Sequence, residues 1–175
     1  YNGGVLNLVS DIRTAVEFEP LTVTRLEGHT RAYLKIQEGC NRFCTYCIIP
    51  YARGPIRSRR PEDVLEEVRK LAANGFKEIV LTGIHIASYG LDLNCGTYLA
   101  DIIEMVHRTE GIERIRFSSM EPLAVTEEFI SRMKALPKVC DHYHLSLQSG
   151  CDKTLHEMGR RYTSDQYYQA VERIY

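Results

Sequence analysis

One loop of nine residues decides the fold. Residues 39–47 run Gly-Cys-Asn-Arg-Phe-Cys-Thr-Tyr-Cys, which places Cys40, Cys44 and Cys47 in a C-x3-C-x2-C pattern. Thiolates at these spacings can converge on one face of a small inorganic cluster, whereas disulfides between such near neighbours would be strained. A 4Fe-4S cluster with one open iron needs only three ligands, while structural zinc usually takes four. We interpret the loop as a cluster site; zinc and buried free thiols are the alternatives.

The composition is that of an ordinary globular domain. Of the 175 residues, 44% are hydrophobic and 26% are charged, and the formal net charge is -1. This balance excludes an obligate polycation and an acidic disordered tail. No apolar run approaches the roughly 18 to 20 residues that a membrane helix needs, and no secretory signal opens the chain. We therefore expect a cytoplasmic protein with no membrane partner.

Strand-like and helix-like segments alternate along the chain. The predicted strands are 32–37, 77–82, 113–118 and 142–147. The predicted helices begin near residues 61, 98, 126, 152 and 163. Such alternation predicts an α/β fold with a parallel sheet and right-handed crossovers, here in four β/α units. The cysteine loop follows the first strand, at the carboxyl end where parallel sheets place their ligands.

With Tyr46 before its last cysteine, the loop resembles the signature of radical S-adenosylmethionine (SAM) enzymes. The flanking stretches 33–40 and 48–59 resemble the methylthiotransferase branch of that superfamily, and the resemblance runs from about Gly28 onward. It implies a partial parallel (β/α) barrel of six units, of which residues 31–175 would hold about four, truncated at the C-terminal end. Residues 1–30 would be a connector from a missing N-terminal domain, which in this family carries a second 4Fe-4S cluster.

The same resemblance suggests which residues meet SAM. In these enzymes the open iron binds the amino and carboxylate groups of SAM, and a glycine-containing strand end approaches the amino group. Loop aromatics would flank the adenine, and polar groups after later strands would bind the ribose and the carboxylate. Each role has an ordinary alternative. The loop aromatics could simply pack within the loop, and the glycine could form a plain turn. The polar groups could bond only to backbone at the strand ends, and the arginine could lie on the surface. The cofactor candidates are Tyr46, Gly83, Ser119, Glu121, Gln148 and Arg160.

Arginines are concentrated beside the cysteine loop. Residues 42–60 contain five arginines and no acidic residue. Guanidinium groups match phosphates in a bidentate fashion, so this stretch suits RNA or another anionic substrate. Pairing with nearby acids such as Glu62 and Asp63 is the alternative. The candidate RNA contacts are Arg53, Arg57, Arg59 and Arg60.

Three stretches favour one group within the methylthiotransferase branch. Residues 28–32, 82–92 and 145–151 are most like the threonylcarbamoyladenosine group. The resemblance implies that a methylthio group is added to position 2 of N(6)-threonylcarbamoyladenosine next to the anticodon of tRNA, with a flavodoxin or ferredoxin as electron donor. We expect this chain alone to bind the SAM cluster without completing turnover. The alternatives are isopentenyladenosine tRNA, a ribosomal protein, another radical SAM activity, or a non-enzymatic iron-sulfur electron-transfer or structural module.

Overall fold

The computed structural model describes residues 11–18 and 30–175, so most of the predicted connector at 1–30 lies outside the described residues. The strands and α-helices within them are β1 Arg31–Glu38, α1 Ile49–Arg53, β2 Arg57–Ser58, α2 Pro61–Ala73, β3 Glu78–Gly83, α3 Leu99–His107, β4 Arg114–Phe117, α4 Glu127–Lys134, α5 Asp152–Glu157 and α6 Ser164–Ile174. Short 3-10 helices occupy Ile12–Thr14, Ile86–Ser88 and Pro122–Ala124. In the described part of the chain, no helix is long and apolar enough to cross a membrane.

The strands form one sheet in the order β2-β1-β3-β4. β1, β3 and β4 are parallel, so that Leu34 lies opposite Leu81 and Leu81 lies opposite Phe117. β2 instead pairs antiparallel with the end of β1, where Ser58 lies opposite Gln37. The predicted parallel α/β arrangement is confirmed. Because the three parallel strands share a direction, their carboxyl ends lie together at one edge.

Helices cover one face of this sheet. Successive side chains of a strand point to opposite faces, so alternate residues of β1 and β3 enter the core. The apolar sides of α2 and α3 belong to the same buried cluster. Its members on the strands and these helices include Ala32, Leu34, Ile36, Ile79, Leu81, Val64, Val68, Ile102 and Ile103. The opposite face, which we call the inner face, carries the remaining alternate side chains, among them Arg31, Glu78 and Arg116.

The predicted helix starts at 126 and 163 are confirmed by their caps. The Thr126 side chain accepts a hydrogen bond from the backbone N–H of Phe129. Thr163 accepts one from the N–H of Gln166, whose own side chain returns to the backbone of Thr163. Side-chain oxygens at these positions satisfy N–H groups that the first helical turn leaves unpaired, so the two threonines fix where α4 and α6 begin.

The prediction of a strand at 142–147 is wrong. Residues 139–145 meet β4 and the segment after it through two isolated parallel bridges, Ile115 with Val139 and Met120 with Leu145, and only the second bridge involves residues 142–147. Between the bridges the backbone turns, and the N–H of His142 donates to the carbonyl of Cys140 at 2.7 Å. A local turn interrupts the ladder, because an amide that bonds within its own segment is not available to a neighbouring strand. β2 was not predicted, since two residues carry no periodicity.

Leu81 and Leu91 allow a matched test of this core. Leu81 is fully buried in β3 between β1 and β4, whereas Leu91 is 60% exposed. We expect Leu81→Ala to lower the free energy of unfolding by about 2 to 5 kcal/mol, because it leaves a cavity in a packed interior. Leu91→Ala removes the same atoms from the surface and should change the free energy of unfolding by less than about 0.5 kcal/mol. Urea unfolding measures both, and equal losses would contradict the described core.

Candidate cluster and cofactor site

The three cysteines lie on a loop that leaves the carboxyl end of β1 and is closed at its base. Gly39 has a φ of +71°, and a Cβ at this position would lie 1.8 Å from the carbonyl oxygen of Pro55. The N–H of Cys40 donates to the carbonyl of Gly54 at 3.1 Å. Glycine alone permits this approach. The chain entering the loop and the chain leaving it are therefore held in contact.

The loop cysteines are free thiols, and each is partly buried. The N–H of Cys47 donates to the carbonyl of Cys44 at 2.9 Å, which makes a tight turn between these two residues. Burial raises the pKa of the Cys40 thiol, the backbone at Arg42 lowers it, and negative charge on Cys44 and Cys47 raises it again.

This donor set fits an iron-sulfur cluster. In the part of the chain that the structure describes, no three His, Cys, Asp or Glu side chains are arranged to hold a single metal ion. The chemistry of the donors is what fits, since soft sulfur donors on one partly buried loop are the ligands that such clusters take from proteins. Cys40, Cys44 and Cys47 are the residues that could hold it.

One buried amide joins the loop to the sheet. Gln37 is fully buried, and its Nε2 donates to the carbonyls of Glu38 at 2.7 Å and Gly39 at 2.8 Å. Its Oε1 accepts from the N–H of His85, just beyond β3, at 2.8 Å. The side chain therefore ties two neighbouring strand ends to the start of the loop. Gln37 is absent from the predicted site residues; the available signal was an amide side chain next to the apolar Ile36, just before the cysteine loop.

A buried carboxylate lies against the cysteine loop. Glu121 is 5% exposed and forms an ion pair with Arg42 of the loop. Its Oε2 also lies 3.3 Å from the Nε2 of His85, whose Nδ1 contacts the hydroxyl of Ser88. Burial raises the pKa of Glu121, but the hydrogen bond with His85 and the positive charges of Arg42 and Arg160 outweigh burial and hold it below its usual range. The loop is thereby fixed to the segment that follows β4.

A second polar group brings Tyr46, Gln148 and Arg160 together. The hydroxyl of Tyr46 donates to Oε1 of Gln148 at 3.1 Å and accepts from Nη2 of Arg160 at 2.5 Å. The Arg160 guanidinium also lies 5.7 Å from the centre of the Tyr46 ring and 6.0 Å from that of Tyr162. Its Nε is buried and has no partner among the described residues. A buried donor of this kind suits an anionic ligand.

The two remaining cofactor candidates, Gly83 and Ser119, contact other groups. Ser119 is exposed, and its Oγ lies 3.0 Å from Nδ1 of His144. A Cβ at Gly83 would lie 2.8 Å from Oε1 and 3.0 Å from Cβ of Gln37. The glycine therefore makes room for the buried amide. Contact of these two residues with SAM stays a prediction.

The arginines predicted to contact RNA divide into two kinds. Arg57 and Arg59 are only 5% and 6% exposed, so their side chains do not form the surface patch that we expected. Arg57 pairs with Glu38 at 3.7 Å, and Arg59 pairs with Glu67 at the same distance. Both acids lie outside residues 42–60, which is why the local sequence suggested unpaired cations. The exposed candidates are Arg53 and Arg60.

Comparison with known proteins identifies the family. The model of the radical SAM superfamily matches residues 34–175. The chain belongs to this superfamily. Two solved radical SAM enzymes, the methyltransferase TsrM from Kitasatospora setae and the cobalamin-dependent enzyme OxsB, align with TM-scores of 0.65 and 0.62. They are 17% and 22% identical, each covers 81% of this chain, and the aligned part is 28% and 22% of those chains. The partial barrel predicted from the resemblance is thereby confirmed.

Relatives of this radical SAM chain are tRNA methylthiotransferases. It is 43% identical to the threonylcarbamoyladenosine tRNA methylthiotransferase MtaB of Bacillus subtilis over 169 residues. It is 45% and 40% identical over 170 residues to the tRNA-2-methylthio-N(6)-dimethylallyladenosine synthases of Caldicellulosiruptor saccharolyticus and Thermoanaerobacter sp. (strain X514). Each alignment covers 97% of this chain but only 36% or 38% of the relative. The chain thus spans little more than a third of these relatives.

Two glycines test the packing of the buried amide. We expect Gly83→Ala to lower the free energy of unfolding by about 1 to 3 kcal/mol, because the added methyl group displaces Gln37. Gly150 is the matched control, since a Cβ there meets no described heavy atom within 4 Å and its φ is not positive. Gly150→Ala should be neutral or slightly stabilising. Thermal unfolding of both variants decides the point, and an unaffected Gly83→Ala would refute the close approach.

The lowered pKa of Glu121 predicts a pH dependence of stability. A carboxyl group whose pKa is depressed by folding stabilises the fold above its ordinary value of 4.5, and the contribution is lost as pH falls through the folded value. We expect the wild type to be more stable than Glu121→Gln at pH 7, with the difference shrinking below about pH 4.5. Urea unfolding across this range measures it, with the exposed Glu110→Gln as control. A difference that does not vary with pH would contradict the prediction.

Proposed function

We propose that the full-length protein is a tRNA methylthiotransferase that acts on N(6)-threonylcarbamoyladenosine. The observation that carries the proposal is the cysteine triad at the carboxyl end of β1, in a chain 43% identical to the Bacillus subtilis enzyme of that name. The product would carry a methylthio group on position 2 of the adenosine next to the anticodon. Since the chain spans 38% of that relative, substrate and partners are attributes of the whole protein.

A second candidate substrate is N(6)-dimethylallyladenosine in tRNA. Two relatives named as synthases of its methylthio derivative are 45% and 40% identical to this chain over the same share of its length. Overall identity therefore does not separate the two substrates. The local resemblance of residues 82–92 favours the threonylcarbamoyl group.

The site residues take the following roles in this proposal. Cys40, Cys44 and Cys47 would hold a 4Fe-4S cluster with one iron open to SAM. When bound, this pair supplies a 5′-deoxyadenosyl radical, which can take hydrogen from an unactivated C–H bond. The residues proposed to bind SAM are Tyr46, Gly83, Ser119, Glu121, Gln148 and Arg160.

The contacts of these side chains support their assignment. Arg160 has a buried Nε without a described partner, so it can donate to the carboxylate of SAM. Glu121 is held ionised by Arg42 and His85, and an ionised carboxylate accepts hydrogen bonds from ribose hydroxyl or amino groups. Phe43 packs edge-to-face on Tyr51, with ring centres 5.8 Å apart, which places apolar surface beside the thiols. Both rings are more than half exposed, so they line the mouth of the site.

The same proposal extends to partners and organisation. Exposed Arg53 and Arg60 would contact tRNA phosphates. A flavodoxin or ferredoxin would deliver electrons in the cytoplasm. Residues 31–175 would be part of the catalytic barrel, and residues 1–30 would connect it to an N-terminal domain with the second cluster. This chain alone would bind SAM but not complete the reaction.

The deciding experiment is mass spectrometry of tRNA nucleosides from cells that lack the gene for the full-length protein. We expect the methylthio derivative of threonylcarbamoyladenosine to disappear and the unmethylthiolated nucleoside to accumulate. Re-expression of the gene should reverse both changes. Loss of the methylthio group from isopentenyladenosine instead would support the second candidate, and no change in either nucleoside would overturn the proposal.

Cysteine variants of the full-length protein test the cluster assignment. After anaerobic reconstitution we expect Cys44→Ala to lose this cluster's iron and the reductive cleavage of SAM to 5′-deoxyadenosine, because only two thiolates are left. Cys140→Ala serves as control, since Cys140 is a partly buried thiol outside the loop. Circular dichroism separates loss of the cluster from loss of folding. SAM cleavage by Cys44→Ala at the wild-type rate would contradict the assignment.

A further inference from the structure

The inner face of the sheet contains a polar cavity of which the roles above use only Ser119, at its rim. Its volume is about 500 Å³, and it opens among β1, β3, β4 and the segment that follows Val139. We call it the inner-face cavity. The lining residues that matter here are Arg31, Thr82, Arg116, Ser118, Ser119 and His144. Among the described residues that line it, none is acidic.

The charge beside this cavity is strongly positive. Glu78, whose side chain is 3% exposed, is surrounded by three arginines. Nε of Arg31 lies 2.5 Å, Nε of Arg114 2.8 Å and Nε of Arg116 3.0 Å from its carboxylate oxygens. Three positive charges against one negative charge leave a surplus of two. A guanidinium carries five N–H donors, so each arginine keeps donors beyond its contact with Glu78.

Hydrogen-bonding groups continue from these arginines towards the carboxyl ends of the strands. The Oγ of Ser118 is buried and has no partner among the described residues. Ser119 and His144 are hydrogen-bonded to each other at 3.0 Å beside it. Buried hydroxyl groups are nearly always paired, so an unpaired one in a cavity indicates a ligand or water. Arg116 lies two residues before Ser118, about 7 Å along the strand at roughly 3.3 Å per residue.

We propose that the inner-face cavity binds the carboxylate of an anionic side group on the target adenosine, and that Arg116 determines specificity for it. This inference rests on the proposed function, since it takes the adenosine to lie at the carboxyl ends of the strands. The threonylcarbamoyl group ends in a carboxylate, which Arg116 can bind as an ion pair. A dimethylallyl group has no acceptor and would cover this guanidinium group without pairing it, which costs binding energy.

Arg114 provides a control that separates recognition from structure. It contacts the same carboxylate as Arg116 but does not line the cavity. Arg116→Leu and Arg114→Leu therefore each remove one partner of Glu78, and only the first removes a lining cation. Full-length wild type and both variants would be reconstituted anaerobically. Each would be assayed for methylthiolation of tRNA carrying threonylcarbamoyladenosine and of tRNA carrying dimethylallyladenosine, and for SAM cleavage without tRNA.

We expect Arg116→Leu to lower kcat/KM on the threonylcarbamoyl substrate at least about tenfold, because a charge-assisted contact is lost. SAM cleavage without tRNA and the affinity for tRNA without the side group should stay within about twofold of wild type. Arg114→Leu should remain within about twofold in every assay. This pattern would support the carboxylate site.

Several outcomes would overturn the inference, and they differ in what they say about the proposed function. Equal losses in both arginine variants would show a structural role through Glu78, and weaker binding of unmodified tRNA by Arg116→Leu would show a phosphate contact instead. If the wild type is active on the threonylcarbamoyl substrate and Arg116→Leu has no effect, the carboxylate site is refuted but the proposed function stands. A wild type that methylthiolates only the dimethylallyl substrate would refute the inference and the proposed substrate, whereas one inactive on both would refute the proposed function itself.

Discussion

The buried amide of Gln37 is the interaction on which the geometry of the site depends. At the carboxyl ends of parallel strands the backbone groups leave the ladder, and those that stay buried need other partners. Gln37 supplies them to the carbonyls of Glu38 and Gly39 and to the N–H of His85. Position 83 requires a glycine because the side chain of Gln37 occupies the space that a Cβ would take. The ends of β1 and β3 and the start of the cysteine loop therefore form one rigid unit that positions the thiols.

Ion pairs between arginines and buried glutamates hold the rest of the loop in place. Buried arginines need anionic partners, because an isolated buried charge loses its hydration without compensation. Glu38 and Glu67 pair with Arg57 and Arg59, and Glu121 pairs with Arg42. Much of the arginine-rich stretch thus serves the interior of the fold, and the excess positive charge lies elsewhere, on the inner face around Glu78. Composition located the arginines correctly but could not say which of them face water.

The sequence predicts the parts of this structure that arise locally. The alternation of strand-like and helix-like segments, with capping residues such as Thr126 and Thr163, was enough to predict the parallel α/β order. The cysteine spacing was enough to predict the thiol loop. The contacts between Arg42 and Glu121 and between Tyr46 and Arg160 join residues 79 and 114 positions apart. Such partners depend on how the chain packs, which local patterns do not encode. The same reason explains the error at 142–147, where a turn at Cys140 outweighs an extended pattern.

The two-residue strand β2 also protects the protein against self-association. Exposed strand edges are templates on which other chains add strands, and short, covered edges suppress this. Beside the cysteine loop, the outer edge of β1 is occupied by Ser58, whose N–H and hydroxyl are bound by Asp92 at 2.8 and 2.6 Å. A second molecule cannot pair with β1 at this point. The end of the sheet that carries the three loop thiols is therefore also an end where intermolecular β-pairing, a common route to aggregation, is blocked.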